Sequence, residues 1–195
     1  DGRAAAFKLA SNADVIIENY RPSVTKRLGI DYEAVSSVNP KVVYASVTGF
    51  GESGPNSHMP ATDTVMQGFA GLMSINRDKD GIPQRINMFA IDYATGLYLS
   101  QAVFASLYRR AKTGQGVHIR TSLLDSAMAF QESRLVAEKF EGSAVKPVGA
   151  PVGTFATADG YLSLNARRTT HFNALCHILG TDEWLSDERF NTAEN

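Results

Sequence analysis

The sequence predicts an α/β fold in which helices flank a parallel sheet. Three short runs rich in β-branched residues, 14–18, 41–47 and 117–121, have the pattern of strands, and helical segments lie between them. Because strands joined through helices return in the same direction by right-handed crossovers, we expect the strands to be parallel. The 195 residues, 44% hydrophobic and 20% charged, suffice for one substantial globular domain or two small ones.

The elements of the first half follow from local patterns. Alanine-rich residues 3–13 predict a helix, and a weak helix ending at Leu28 has Gly29 as its C-cap. A further helix over 32–38 precedes the strand 41–47. A glycine-rich loop over 49–60 then leads to a helix from about Thr62 to Leu72.

The longest predicted helix runs from Asp92 to about Lys112. Its uncharged stretch 93–108 is too short and too polar to span a bilayer, so we expect a buried helix. After the third strand, Ser122 and Asp125 predict a capped helix start. A linker rich in glycine and proline over 141–151 predicts two domains, 1–144 and 145–195.

The second predicted domain would be the start of a smaller α+β domain. Residues 153–165 have the pattern of a hairpin, with Asp159-Gly160 in its turn.

Charge and composition disfavour several classes of function. A net charge of −1 argues against a nucleic-acid partner and against a polybasic membrane surface. The chain has no apolar N-terminal segment, and its single cysteine, Cys176, excludes an internal disulfide, so we expect a cytoplasmic protein. The four histidines lack the spacing of a metal site, so no metal is predicted.

The loop Gly49-Phe-Gly-Glu-Ser-Gly54 matches a dinucleotide-binding pattern directly after a strand. Pro55 and Pro60 prevent a helix from opening at the third glycine, and no acidic residue ends a second strand. A tight loop is therefore favoured over a dinucleotide site, although its backbone could approach another phosphate-bearing ligand.

Residues 19–22 follow the first strand, at the edge where ligands bind in parallel α/β sheets. Arg21 and Arg27 could hold phosphates there, and Tyr20 could stack on a base. The same side chains could equally be solvated charges on a surface loop. Spacing alone leaves both interpretations open.

Asp92 emerges from an apolar stretch at the start of the long helix. The helix N-terminus favours its ionised form, and thin hydration would make the carboxylate more nucleophilic. A simple N-cap is the alternative by residue type, and Asp63 stands in the same position one helix earlier. A triad of Ser122, His118 and Asp125 is also conceivable, but helix capping explains Ser122 and Asp125 more simply.

Taken together, the motifs resemble the family III CoA-transferases, which include formyl-CoA transferase and carnitine CoA-transferase (CaiB/BaiF type). The motifs that carry the resemblance, in chain order, are Asp14–Pro22 with Arg27-Leu-Gly29, Asn39–Ser46, Gly49–Pro55, Gln67–Met73, Asp92–Gly96, Arg109–Gly116, Ser122–Ala127 and Gly153–Gly160. Family members are longer at both ends. The resemblance therefore implies that the chain is the middle of a longer protein, lacking the N-terminal part of a Rossmann-like domain.

The resemblance also implies a site and an assembly. Asp92 falls on the family's catalytic aspartate, and family members form homodimers whose chains are interlocked. The glycine-rich lid of formyl-CoA transferase is not evident around residues 149–153. The residues implied in CoA binding are Asn19, Tyr20, Arg21, Arg27, Met59, Pro60, Ala61 and Thr62.

The function implied is transfer of CoA between carboxylic acids through an anhydride and a thioester of Asp92, with CoA as substrate and no other cofactor. One alternative is an α-methylacyl-CoA racemase, but Thr62 occupies the place of that enzyme's histidine, and His58 lies four positions too early. A second alternative is a chain that binds CoA without catalysing a reaction.

Overall fold

The computed structural model describes residues 2–142 and 151–190. The chain divides into two compact units, residues 1–135 and 136–195. The sequence placed the domain boundary between 144 and 145, within the linker 141–151. Residues 143–150 of this linker, which include 149 and 150 of the expected lid position 149–153, lie outside the described residues.

Within the described residues of the first unit, three strands form a parallel sheet in the order β1 (Val15–Glu18), β2 (Val43–Thr48) and β3 (Val117–Ser122). In the second unit, β4 (Val152–Ala156) and β5 (Tyr161–Asn165) form an antiparallel hairpin. The predicted parallel α/β fold and the predicted hairpin are both confirmed.

The described residues also contain nine α-helices, which lie before, between and after the strands. They are α1 (Gly2–Ala10), α2 (Val24–Leu28), α3 (Tyr32–Ser36), α4 (Asp63–Phe69), α5 (Leu72–Ile75), α6 (Ala90–Thr113), α7 (Leu123–Phe130), α8 (Glu132–Glu141) and α9 (Thr169–Leu179), followed by a 3₁₀ turn at Asp182–Ser186. The expected single helix over 62–72 is therefore two helices, because Gly71 turns the chain with φ of 83°.

Helices cover both faces of the sheet because side chains alternate along the central strand β2. Tyr44 faces one way and packs with Val35 of α3, while Ala45 faces the other way and packs with Leu99 and Val103 of α6. A further buried cluster joins the starts of α4, α5, α6 and α7 beside the sheet edge. Its members are Phe50, Met66, Leu72, Ile91 and Ala127.

The expectation that 93–108 forms a buried helix is confirmed for one face only, which contains Ala94, Leu99 and Val103. Tyr93, Leu97, Phe104 and Tyr108 of α6 are between 63% and 71% exposed. An uncharged run does not show which helix faces are covered, and here only one face of α6 packs on the sheet. None of the helices in the described residues is long and apolar enough to cross a membrane.

Candidate active site

A cavity of about 960 Å³ opens in the first unit, at the edge where β1, β2 and β3 all end. Ligands of parallel α/β sheets bind outside the carboxyl ends of the strands, which is where this cavity lies. Its walls come from the segment after β1, the end of β2, the loop before α4 and the first turns of α6. The lining residues that matter for the site are Asn19, Tyr20, Arg21, Met59, Pro60, Ala61, Thr62, Asp92, Thr95 and Gly96.

The cavity brings together most of the residues that the sequence predicted. Asp92 and the segments 19–21 and 59–62 line it. Arg27, in α2, is not among the lining residues. His58, on which the racemase alternative depends, does not line the cavity either, whereas its neighbour Ser57 does.

Asp92 is the third residue of α6, and its side chain is exposed in the cavity. Phe89 occupies the N-cap position and makes no side-chain cap, so the interpretation of Asp92 as an N-cap is wrong. Partial burial raises the pKa of the Asp92 carboxyl above its usual value, and the negative charge of Asp63 raises it further.

Asp63 is 3% exposed and reaches from α4 to the start of α6. Its Oδ2 accepts hydrogen bonds from the backbone N–H of Ile91 at 2.8 Å and of Asp92 at 3.2 Å. Asp63 is itself not an N-cap, contrary to expectation: Thr62 caps α4, accepting from the Val65 N–H at 3.5 Å. The carboxylate thus supplies to α6 the cap that Phe89 cannot provide.

Sequence reasoning missed this contact between Asp63 and α6. A signal was present, because Asp63 and Gln67 are spaced i and i+4 and therefore lie on one face of α4 beside the apolar Met66. Two polar side chains on the buried face of a helix need partners. The sequence did not reveal that the partner would be a segment 19 to 29 residues downstream.

Positive charge at the cavity comes from Arg21, which is exposed and makes no ion pair or side-chain hydrogen bond within the described residues. The neighbouring turn is fixed by Glu18, whose carboxylate accepts from the Tyr20 N–H at 2.9 Å. Tyr20 is half exposed, so its ring is available at the rim. This arrangement can receive an anionic ligand with an aromatic portion.

The glycine loop supports the cavity wall through a close approach. A Cβ atom placed on Gly49 would lie 2.3 Å from Cβ of Ala61, so only glycine lets the end of β2 pass the segment 59–62 at this distance. Downstream, the Gly51 N–H donates to Thr48 Oγ1 at 3.0 Å. The next helix begins only at Asp63, in agreement with the sequence argument against a dinucleotide site.

Ser122, His118 and Asp125 do not form a catalytic triad. Ser122 caps α7 by accepting from the Asp125 N–H at 2.9 Å, as predicted. His118 instead contacts Ser46, with 2.9 Å between its Nε2 and the Ser46 Oγ, and burial lowers its pKa. Across residues 2–142 and 151–190, no group of three or more histidine, cysteine or acidic side chains could hold a metal ion.

A model of CoA-transferase family III matches residues 1–195, the whole chain. The chain belongs to CoA-transferase family III. This membership confirms the resemblance drawn from the motifs.

Relatives within CoA-transferase family III cover the chain almost completely. An acetyl-CoA:oxalate CoA-transferase of Acetobacter aceti is 35% identical over 96% of this chain and 50% of its own length. A succinate–glutarate CoA-transferase of Agrobacterium fabrum is 34% identical over 98% of this chain and 50% of its own length.

The crystal structure of Rv3272 from Mycobacterium tuberculosis superposes with a TM-score of 0.88 at 30% identity, covering 99% of this chain and 52% of that one. The chain thus spans about half the length of the family members that it matches.

Proposed function

We propose that the protein containing this chain is a CoA-transferase that moves CoA between carboxylic acids, with Asp92 as the nucleophile. The observation that carries the proposal is the position of Asp92. Its carboxyl opens into the same cavity as Tyr20 and Arg21, so a thioester bound there would meet a carboxylate next to groups suited to the nucleotide of CoA.

The proposed reaction consists of four acyl exchanges that balance without a net proton or electron. The Asp92 carboxylate attacks the thioester carbonyl, the C–S bond breaks, and CoA thiolate leaves a mixed anhydride. The thiolate attacks the aspartyl carbonyl and expels the donor acid as its carboxylate, which gives an aspartyl-CoA thioester. The acceptor carboxylate attacks this thioester and expels CoA thiolate, which leaves a second mixed anhydride. The thiolate then attacks the acceptor carbonyl of this anhydride, which gives the acceptor's CoA ester and frees the Asp92 carboxylate.

The electrostatics of Asp92 suit this role. Burial and the charge of Asp63 raise the pKa of Asp92, and a more basic carboxylate is a stronger nucleophile once it is ionised. Asp92 also lies in the first turn of the 24-residue helix α6, where the helix dipole favours negative charge. Once ionised, Asp92 is therefore more nucleophilic than an ordinary surface aspartate.

We propose that CoA is held by Asn19, Tyr20 and Arg21 together with the segment 59–62, and that Arg27 adds a more distant charge. Since every step exchanges acyl groups and thiolate, the reaction needs no cofactor beyond CoA itself. The relatives' names point to small dicarboxylic acids as exchange partners. An interlocked homodimer in the cytoplasm completes the proposal.

The residues at the positions of a racemase's acid and base argue against racemisation. That reaction needs a base on one side of the α-carbon and an acid on the other. Thr62 is neither near neutral pH, and its hydroxyl is engaged as the N-cap of α4. His58 is not on the cavity wall.

The experiment that tests the proposal is chemical trapping of the acylated aspartate. The full-length protein is incubated with acetyl-CoA or succinyl-CoA, quenched with hydroxylamine, digested and analysed by mass spectrometry. Because hydroxylamine attacks either activated form of Asp92, we expect a hydroxamate on the peptide that contains Ile91-Asp92-Tyr93. Asp92→Ala should lose both the adduct and transfer to oxalate or glutarate, yet still bind CoA.

Asp63 is the internal control for this labelling. It is also a helix-start aspartate, but it is buried, and its two oxygens already accept three N–H donors. A label on Asp63, or near wild-type turnover by Asp92→Ala, would show that the proposed mechanism is wrong. CoA binding without label or turnover in the full-length protein would favour the non-catalytic alternative.

A further inference from the structure

A buried polar pair on α4 faces the segment that leads into Asp92. Asp63 is 3% exposed and Gln67 is fully buried, and both side chains direct their polar atoms at residues 86–92. Burying a carboxylate and a carboxamide without partners is costly, so these side chains depend on this segment for their hydrogen bonds.

Gln67 binds the beginning of the segment. Its Oε1 accepts from the Ile86 N–H at 2.8 Å, and its Nε2 lies 3.3 Å from the Ile86 carbonyl and 3.1 Å from the Met88 carbonyl. The same Nε2 donates to Asp63 Oδ1 at 2.6 Å. The carboxamide therefore fixes the backbone at 86–88 and, at the same time, the orientation of the Asp63 carboxylate.

Asp63 binds the end of the segment. With Oδ1 held by Gln67, its Oδ2 receives the N–H groups of Ile91 and Asp92 itself. The backbone of residue 92 is thus tied directly to a buried side chain of another helix. A charge-assisted hydrogen bond of this kind is about twice as strong as a neutral one.

We infer that Asp63, oriented by Gln67, is the positioning residue of the reaction: it fixes the first turn of α6 so that the Asp92 carboxyl points into the cavity. The inference rests on the proposed role of Asp92. A nucleophile is effective only when its supporting residues hold it within a fraction of an ångström of the attack geometry. Asp63 acts through Asp92 and does not itself touch the substrate.

The charge of Asp63 influences the pKa of Asp92, so the pH dependence of activity can distinguish a positioning role from a purely structural one. Removing this negative charge lowers the pKa of Asp92, because Asp63 is one of the two causes that raise it. The other titratable groups on the cavity wall are Glu18 at the end of β1 and Tyr20 and Arg21 directly after it, and a substitution in α4 leaves all three in place.

The test uses Asp63→Asn in the full-length protein, because asparagine has nearly the same shape and keeps one oxygen for the N–H groups of α6. We expect kcat to fall roughly 10- to 100-fold while KM for the acyl-CoA changes little. Since the reaction needs ionised Asp92, activity is lost as the pH falls through its pKa. The acid limb of kcat/KM should therefore move to lower pH in Asp63→Asn.

Gln131→Met is the matched control. Gln131 is also a buried carboxamide, and its Nε2 donates to the Ala70 carbonyl at 2.6 Å, but it does not line the cavity. This variant should lose thermal stability while keeping its kcat and its acid limb. An unmoved acid limb in Asp63→Asn, a kcat as high as wild type, or a failure to fold would each overturn the positioning role.

Failure of this inference can be distinguished from failure of the proposed function. If wild-type protein forms no Asp92 hydroxamate, the proposed function fails, whatever Asp63 does. Asp63→Ala then still tests the contact in unliganded protein. The amide protons of Ile91 and Asp92 should exchange at least about tenfold faster than in wild type if the carboxylate secures them. Unchanged exchange would contradict the contact itself.

Discussion

At the scale of single residues, Arg21 is the charge on the cavity wall that CoA phosphates would meet first. It makes no ion pair or side-chain hydrogen bond within the described residues, so its charge is available to a ligand. Losing a charge-assisted hydrogen bond costs about 1.5–3 kcal/mol, which corresponds to a loss of affinity of roughly 10- to 150-fold. We therefore expect Arg21→Ala to weaken CoA binding by this factor in isothermal titration calorimetry.

Lys79→Ala is the control for this charge change. Lys79 is fully exposed in the loop 77–83, pairs with Asp80 and does not line the cavity. Its loss should leave the affinity for CoA unchanged. If Lys79→Ala and Arg21→Ala weaken CoA binding equally, the affinity depends on the net charge of the protein and not on a contact of Arg21. The same titration of Arg27→Ala decides whether Arg27, predicted from sequence but absent from the cavity wall, contacts CoA.

Single residues were predictable where the signal was local. The local pattern singled out Asp92 as either an N-cap or a nucleophile, and the family resemblance implied the nucleophile. The structure places the Asp92 side chain in the cavity. Its exact helix position was not predictable, because α6 begins at Ala90 through contacts with Asp63 from another helix. The polar contact of Asp63 spans 28 residues, and local patterns do not encode such pairings.

At the scale of elements, the close approach of β2 to the segment before α4 shapes the cavity wall. Gly49→Ala would place a methyl group against Cβ of Ala61. Overpacking of this kind typically costs about 1–3 kcal/mol. We expect a loss of that size in the free energy of unfolding, measured with urea, and weaker CoA binding because residues 59–62 must move.

The double variant Gly49→Ala/Ala61→Gly isolates the cause. With the Ala61 methyl removed, the next nearest atoms to the new Cβ are at 3.6 and 3.8 Å, which is ordinary contact. Stability should recover except for the backbone entropy of the new glycine, about 0.5–1 kcal/mol. If the loss of stability in the double variant equals the sum of the losses in the two single variants, the proposed clash is contradicted. Gly160→Ala, where nothing lies within 4 Å, is the neutral control.

Elements were predictable where their residues carry strong local preferences. The strands formed by 14–18, 41–47 and 117–121 appear within one or two residues of their predicted ends, because β-branched residues crowd there. The helix over 62–72 was wrong in its length, because the left-handed turn at Gly71 interrupts it. A glycine tolerates a helix as well as such a turn, so its presence did not reveal the break.

At the scale of the whole molecule, the chain divides after Leu135, whereas the composition of the linker predicted a boundary after residue 144. Which face of a helix is covered was less predictable. Along α6, Tyr93, Leu97, Phe104 and Tyr108 fall within one narrow stripe of the helix surface, and all four are mostly exposed. We refer to these four residues as the α6 stripe.

The α6 stripe bears on the proposed homodimer. Exposed apolar patches are typical of association sites, and the α6 stripe presents four large exposed side chains on one side of a helix. A second copy is an economical partner, because most soluble oligomers are symmetric homo-oligomers. The proposed dimer thus predicts that the stripe is covered when two copies meet.

Light scattering on the full-length protein tests this prediction. Wild type should have the mass of two chains, and Phe104→Glu should shift it toward one chain, because a charge buried without a partner is strongly unfavourable. Ala105→Glu adds the same charge to an exposed position of α6 beside the stripe and should leave the dimer intact. A wild-type monomer would contradict the dimer. An unfolded Phe104→Glu, with Ala105→Glu folded, would show that the chain's own remaining segments cover the stripe.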